Sequence, residues 1–225
     1  MNTKNSIVVM KFGGTSVQDS TAIKNVINIV NNNSLKKVVV VSAISKATTA
    51  LENIARFAAE KNVQEAEKLL DEIINRHHVI INDLVTDTAL RSAAAEKIIG
   101  YHRQITELIK GLSIINELSL RILDAFRVFG ELMSSNVIYH AMVNAGLDVE
   151  LINSQHVIKT NNDFSRAYPN FDISQVNADK IVKPLLAKNK IVLAQGFMGS
   201  TDDGIPTTMG RESSDFSAAI YGSLV

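Results

Sequence analysis

Ile7-Val8-Val9-Met10-Lys11-Phe12-Gly13-Gly14-Thr15-Ser16 is the stretch that decides the fold. An apolar, β-branched run delivers a lysine, two glycines and two hydroxyls to the start of a helical pattern. Ala22, Val26, Ile29 and Val30 give that pattern its spacing over residues 21–30. Such a strand-loop-helix can hold phosphate. Glycines let backbone N–H groups approach a ligand, the helix N-terminus adds partial positive charge, and the lysine adds a full one. The spacing is neither that of the Gly-x-x-x-x-Gly-Lys-Ser/Thr loop nor that of the Gly-x-Gly-x-x-Gly fingerprint. The same residues also suit a plain turn whose glycines carry no ligand.

Outward from this unit, residues 38–41 (Val-Val-Val-Val) form a second buried-strand run, and residues 149–152 and 191–195 a third and fourth. Near-continuous apolar strands suit a parallel sheet covered on both faces, with right-handed crossovers. The fold class expected is α/β, a mostly parallel sheet sandwiched between helices. Residues 48–145 carry little strand signal. Ala66, Leu69, Leu70, Ile73, Ile80, Ile81 and Leu84 recur at helical spacing, as do Ile98, Tyr101, Ile105, Leu108 and Leu112. These stripes predict a helical insert at about residues 50–125, then a helix over 126–145 stopped by Gly146. Pro184 should kink or start any helix over 181–186. Residues 199–204 (Gly-Ser-Thr-Asp-Asp-Gly) read as hairpin-like. Residues 213–225 read as an apolar helix with no cap, exposed and prone to associate, in a chain truncated at its C-terminus.

Composition narrows the function. The chain has 225 residues, 46% of them hydrophobic, with 23 Lys plus Arg against 23 Asp plus Glu. That balance gives no field for nucleic acid or an anionic membrane. The absence of Cys excludes disulfides and thiolate metal sites and fits a reducing cytosol. The apolar run after the polar first residues is too short for a signal peptide or a span. A cytoplasmic protein is expected.

In an open parallel sheet, ligands collect at the carboxyl ends of the strands. The residues there are Lys11, Gly13, Gly14, Thr15 and Ser16; then Ser42, Ala43 and Thr48; then Gly196 and Phe197; and finally Arg211, Ser213, Ser214 and Asp215. Together they offer a cation for phosphate, hydroxyls, an arginine fork for a carboxylate, and an acid. Each has a structural alternative. Ser42 closes a strand, Thr48 caps a helix, Ser213 to Asp215 cap the last one, and Arg211 pairs with a surface acid. Glu131 is either a helix-dipole partner in a first turn or an acid that binds an ammonium group. His77 and His78 read as lying on a solvated or half-buried helix face. None of the five histidines shows metal-ligand spacing, so no protein metal site is expected.

Residues 9–17 (Val-Met-Lys-Phe-Gly-Gly-Thr-Ser-Val) resemble the signature that opens aspartate kinases, members of the amino acid kinase family. Val40-Val41-Ser42-Ala43 with Thr48 resembles that family's second loop. Phe129-Gly130-Glu131-Leu132-Met133-Ser134 resembles its Gly-Glu-x-x-Ser helix, and Lys159-Thr160-Asn161-Asn162-Asp163 its Thr-Asn-Asp segment. Gln195-Gly196-Phe197 and Thr207-Thr208-Met209-Gly210-Arg211 with Ser214-Asp215 resemble the strand and loop that close the amino-acid site. Glu212 and Ser213 stand where the family has two glycines.

The resemblance implies the amino acid kinase fold and transfer of the γ-phosphoryl group of ATP, as its Mg²⁺ complex, to the side-chain carboxylate of L-aspartate. That reaction opens lysine, threonine and methionine synthesis. It implies that Lys11 contacts the transferring phosphates, with Gly13, Gly14 and Thr15 in the phosphate loop. Ser42, Ala43 and Thr48 would hold aspartate, Glu131 its ammonium, and Arg211 with Ser214 a carboxylate; Asp215 would orient Lys11. Residues 1–225 would be the amino-acid-substrate part of a kinase domain, without the adenine-binding segment or the regulatory ACT domains, inactive alone and from a homo-oligomeric enzyme. The alternatives are a non-catalytic amino-acid-binding fragment, or a kinase for glutamate, acetylglutamate or carbamate.

Overall fold

The computed structural model describes residues 6–210 and 213–225. Four parallel strands form the central sheet in the order β1-β2-β4-β3, where β1 is Ile7–Phe12, β2 Lys36–Val41, β3 Val149–Leu151 and β4 Ile191–Gln195. The register places Lys11 beside Val40 and Val41 beside Gln195, so the carboxyl ends of β1, β2 and β4 open at one level. Helix α1 (Ser20–Asn31) makes the crossover from β1 to β2. Asp19 caps it, its side chain accepting from the Ala22 amide at 2.8 Å.

The period-two alternation of side chains splits the core into two layers. Val39, Val41 and Leu193 face one side, against α1 and four long helices. Those helices are α2 (Ala47–Ala59), α3 (Val63–Leu84), α4 (Thr88–Ile115) and α5 (Leu120–Asn144). Val38, Val40, Val192 and Ala194 face the other side. There they meet α7 (Phe171–Ala187) and α8 (Ser214–Leu224). A short helix α6 (Ser154–Val157) follows β3. An antiparallel hairpin of β5 (Met198–Ser200) and β6 (Pro206–Thr208) leads back toward α8. The structure is thus α/β, with the parallel sheet between helical layers.

Several expectations need correcting. Pro184 neither starts nor ends its helix: α7 begins at Phe171 and runs through Pro184 to Ala187. In that last turn only one intrahelical bond is forfeited. The final helix is not left exposed. Ile220, Tyr221 and Leu224 of α8 are buried against the sheet and α7. The Tyr221 hydroxyl donates to Ser154 Oγ at 2.9 Å, because the Ser154 hydroxyl is itself spent on the Gln195 carbonyl at 2.7 Å. His77 is fully buried rather than half-solvated. Its Nδ1–H donates to the Ile73 carbonyl at 2.8 Å, and burial holds its pKa down at about 4.

Candidate active site at the carboxyl edge of the sheet

A hollow of about 420 Å³ opens where β1, β2 and β4 end. Its first wall is the turn after β1. Lys11, the penultimate residue of the strand, lines it with Gly13, Gly14 and Thr15. Residues Gly14–Val17 wind into a 3-10 turn. A side chain at Gly14 would stand 3.0 Å from the Ala43 carbonyl, so glycine lets the first two loops close on each other. The Ser45 amide then donates to the Gly14 carbonyl at 3.2 Å.

The second wall is the loop after β2 and the first turn of α2. Ser42 does close a strand, its amide bonding the Phe12 carbonyl at 3.1 Å, and it also lines the hollow. Thr48 is not the helix cap. Lys46 holds that place in the left-handed region (φ 70°), which leaves Thr48 inside the first turn and facing the hollow.

Glu131 comes from the middle of α5, not from a first turn, so the helix-dipole reading falls away. It is 3% exposed and lines the hollow. Its Oε1 accepts from the Ala43 amide at 3.2 Å, and its Oε2 is buried with no partner. Burial pushes the carboxyl up to about 8, against the opposing pull of the Ala43 amide. Gly130 makes this approach possible. A Cβ there would meet the Ala43 Cβ at 2.9 Å. One turn on, the Ser134 hydroxyl donates to the Ser42 carbonyl at 2.8 Å, so α5 grips the loop twice.

Phe197, Ser213 and Ser214 form the third wall. Phe197 carries φ 67°, and the Met198 amide reaches the Gly196 carbonyl at 2.7 Å across it, a strained γ-turn. The Ser217 hydroxyl accepts from the Phe197 amide at 2.8 Å and donates to the Ser213 carbonyl at 3.0 Å. Ser213 occupies the N-cap position of α8 without a side-chain capping bond, and its Oγ is buried and unpartnered. Asp215, in the first turn of α8, does not line the hollow but pairs with Lys11 at 3.1 Å. Arg211 lies outside the described residues. The segment from Lys159 to Asp163 lies away from the hollow, where Lys159 bridges to Ser200 of the hairpin.

Electrostatically the hollow is mixed. Lys11, Lys46 and the first turns of α2 and α8 supply positive charge and amide donors, while Glu131 supplies a single buried acid. That combination suits a ligand with several anionic groups and one ammonium. Sequence reasoning missed Ser45, Lys46 and Thr49, which also line it. Their place just after a strand was visible; the left-handed turn that swings them inward was not. Among the described residues, no group of three or more His, Asp or Glu converges on a metal position. Nor is any helix long and apolar enough to cross a membrane.

Comparison with known proteins agrees with this architecture. The chain is 33% identical over 222 residues to the bifunctional aspartokinase/homoserine dehydrogenase 2, chloroplastic, of Arabidopsis thaliana, across 96% of this chain and 24% of that protein. It is similar to the crystal structure of E. coli aspartokinase III in complex with lysine and aspartate (T-state), at TM-score 0.87 and 30% identity over 97% of this chain and 47% of that one. The same E. coli protein in complex with aspartate and ADP (R-state) gives TM-score 0.85 at the same identity and coverage. The chain spans less than half the length of these relatives. The pattern of one family matches residues 6–225, and the sheet, its helical layers and the hollow at its edge share that fold: the chain belongs to the amino acid kinase family.

Proposed function

We propose that this chain is the amino-acid-binding part of an aspartate kinase. The observation that carries the reading is the pairing, in one hollow, of the Lys11 ammonium with the half-satisfied, buried carboxyl of Glu131. A cation beside a glycine turn suits a phosphate. An unpartnered buried acid suits an ammonium. Their coexistence suits an amino acid that accepts a phosphoryl group. The relatives' complexes with aspartate and with ADP support the same pair of substrates.

In this reading a side-chain oxygen of L-aspartate attacks the γ-phosphorus of ATP. The bond to the β–γ bridging oxygen breaks, and ADP leaves with 4-phospho-L-aspartate as the other product. The protein's task is alignment and charge neutralisation. Lys11, oriented by Asp215, meets the charge that spreads over the transferring phosphoryl oxygens, with Gly13, Gly14 and Thr15 beneath it. Ser42, Ala43 and Thr48 hold the amino acid, Glu131 its ammonium, and Ser214 with Arg211 a carboxylate. Mg²⁺ neutralises phosphate charge when bound and travels with the nucleotide. The cysteine-free chain fits a reducing, cytoplasmic setting.

Steady-state kinetics of the full-length protein test this assignment. Lys11→Ala should lower kcat by about a hundredfold or more, as loss of a transition-state charge contact does. Glu131→Ala should act chiefly on the KM for aspartate. Wild-type rates in both variants would refute the roles. A second reading, a non-catalytic amino-acid-binding piece, draws on the coverage of less than half of the relatives. Aspartate binding by the full-length protein without ATP turnover would favour it.

A further inference from the structure

A buried polar network beneath α5 has no part in the roles assigned above. Asp124 is fully buried, yet its carboxylate accepts five hydrogen bonds. Its Oδ2 takes the Ser165 amide at 2.7 Å and the Thr208 amide at 2.9 Å. Its Oδ1 takes the Thr208 hydroxyl at 2.6 Å, the Ser165 hydroxyl at 3.0 Å and the Arg127 guanidinium at 3.3 Å. Arg127 turns its other nitrogens to Glu52 Oε1, at 2.9 and 2.8 Å, and also donates to Ser165 Oγ at 2.8 Å. Ser165 is held with φ 69°, a conformation its side chain disfavours.

These bonds run to the walls of the hollow. Asp124 and Glu131 lie two turns apart on one face of α5. Glu52 lies one turn beyond Thr48 on α2. Thr208 ends β6; the next residue, Met209, donates its amide to the carbonyl of Phe197 at 3.0 Å, and the chain then returns to the hollow at Ser213. Packing alone does not require such a device, because apolar side chains of similar volume fill such a space at no loss of stability. What the network adds is fixed distance between elements that are remote in sequence.

We infer that Asp124 is a positioning residue for the amino-acid half of the site. Through Arg127 and Glu52 it sets α2, and through Thr208 and Ser165 it sets the hairpin and the wall that follows it, both relative to Glu131. The inference rests on the aspartate kinase reading. It predicts that disturbing the network weakens aspartate binding while the nucleotide half, built on β1 and its glycine turn, is spared.

The experiment is steady-state kinetics on the full-length protein, varying aspartate and ATP separately, with thermal melting of each variant. Asp124→Asn keeps the size and the acceptor for the two amides but turns a donor toward Arg127. Thr208→Val removes one hydroxyl donor, and Thr208→Ser restores it. The first two should raise the KM for aspartate about tenfold, the scale of one lost hydrogen bond to a charged group. The KM for ATP and kcat should stay within about twofold, and Thr208→Ser should behave as wild type. Should Asp124→Asn fail to fold, the Thr208 pair decides alone. An unchanged KM for aspartate, or equal losses for both substrates, overturns the inference while leaving the kinase reading intact. A wild-type protein that does not phosphorylate aspartate overturns both.

Discussion

Glu131 and His77 are both buried and both incompletely bonded, and they respond to pH with opposite signs. The Glu131 carboxyl is raised from 4.5 to about 8 in the fold. Between those values the native state holds a proton that the unfolded chain has released, so stability falls as pH rises. The His77 imidazole is lowered from 6.5 to about 4. Between those values the unfolded chain holds the extra proton, so its contribution is complete above pH 6.5 and is lost as pH falls toward 4. Each slope is about 1.4 kcal/mol per pH unit. The two contributions cancel where their windows overlap, from 4.5 to 6.5, and only the Glu131 slope remains up to about 8. Urea unfolding across pH should reveal this. Glu131→Gln should become more stable than wild type by a few kcal/mol (about 2–5) near pH 8 and should expose the rising His77 slope at acid pH. His77→Leu should expose the falling one. A variant with the wild-type pH profile would show that the buried group does not titrate as described. The energy that Glu131→Gln regains is the cost of keeping an unpaired acid buried at the edge of the hollow.

At the scale of elements, the site depends on how closely α5 lies on the loop after β2. Gly130→Ala places a methyl 2.9 Å from the Ala43 Cβ. The helix must retreat, loosening the Ala43 amide from Glu131 and the Ser134 hydroxyl from the Ser42 carbonyl. Overpacking of this kind costs about 1–3 kcal/mol. The expected result is a lower melting temperature together with weaker aspartate binding; an unaltered affinity would mean the helix can shift without disturbing the acid. The elements themselves were largely legible. Four apolar runs became four strands, the central β2 and β4 buried on both faces and the edge strands β1 and β3 only partly covered, and the helical stripes became α3 and α4 because each packs one face. Pro184 misled as a start signal because a proline can also stand in the last turn of a helix that began well before it. The final helix misled because its apolar residues were read without the sheet face that covers them.

For the whole molecule, the sheet edge gathers residues that lie as far apart in sequence as Lys11 and Ser214. Periodicity and strand ends indicated where a ligand would collect, and family resemblance indicated which side chains to inspect. Neither could reveal Asp124 and Arg127, whose partners are distant backbone amides and hydroxyls rather than a motif. Nor could spacing place Lys46 in the left-handed turn that opens α2 toward the hollow. The central claim is that this hollow takes the ammonium of L-aspartate on Glu131. Calorimetric titration of aspartate into the full-length protein at pH 7, in buffers of different ionisation enthalpy, tests it most directly. Because burial keeps the free carboxyl protonated up to about 8, an arriving ammonium should expel close to one proton per ligand, and Glu131→Gln should abolish that release with much of the affinity. Aspartate that binds wild type and Glu131→Gln equally well, with no proton released, would contradict the account.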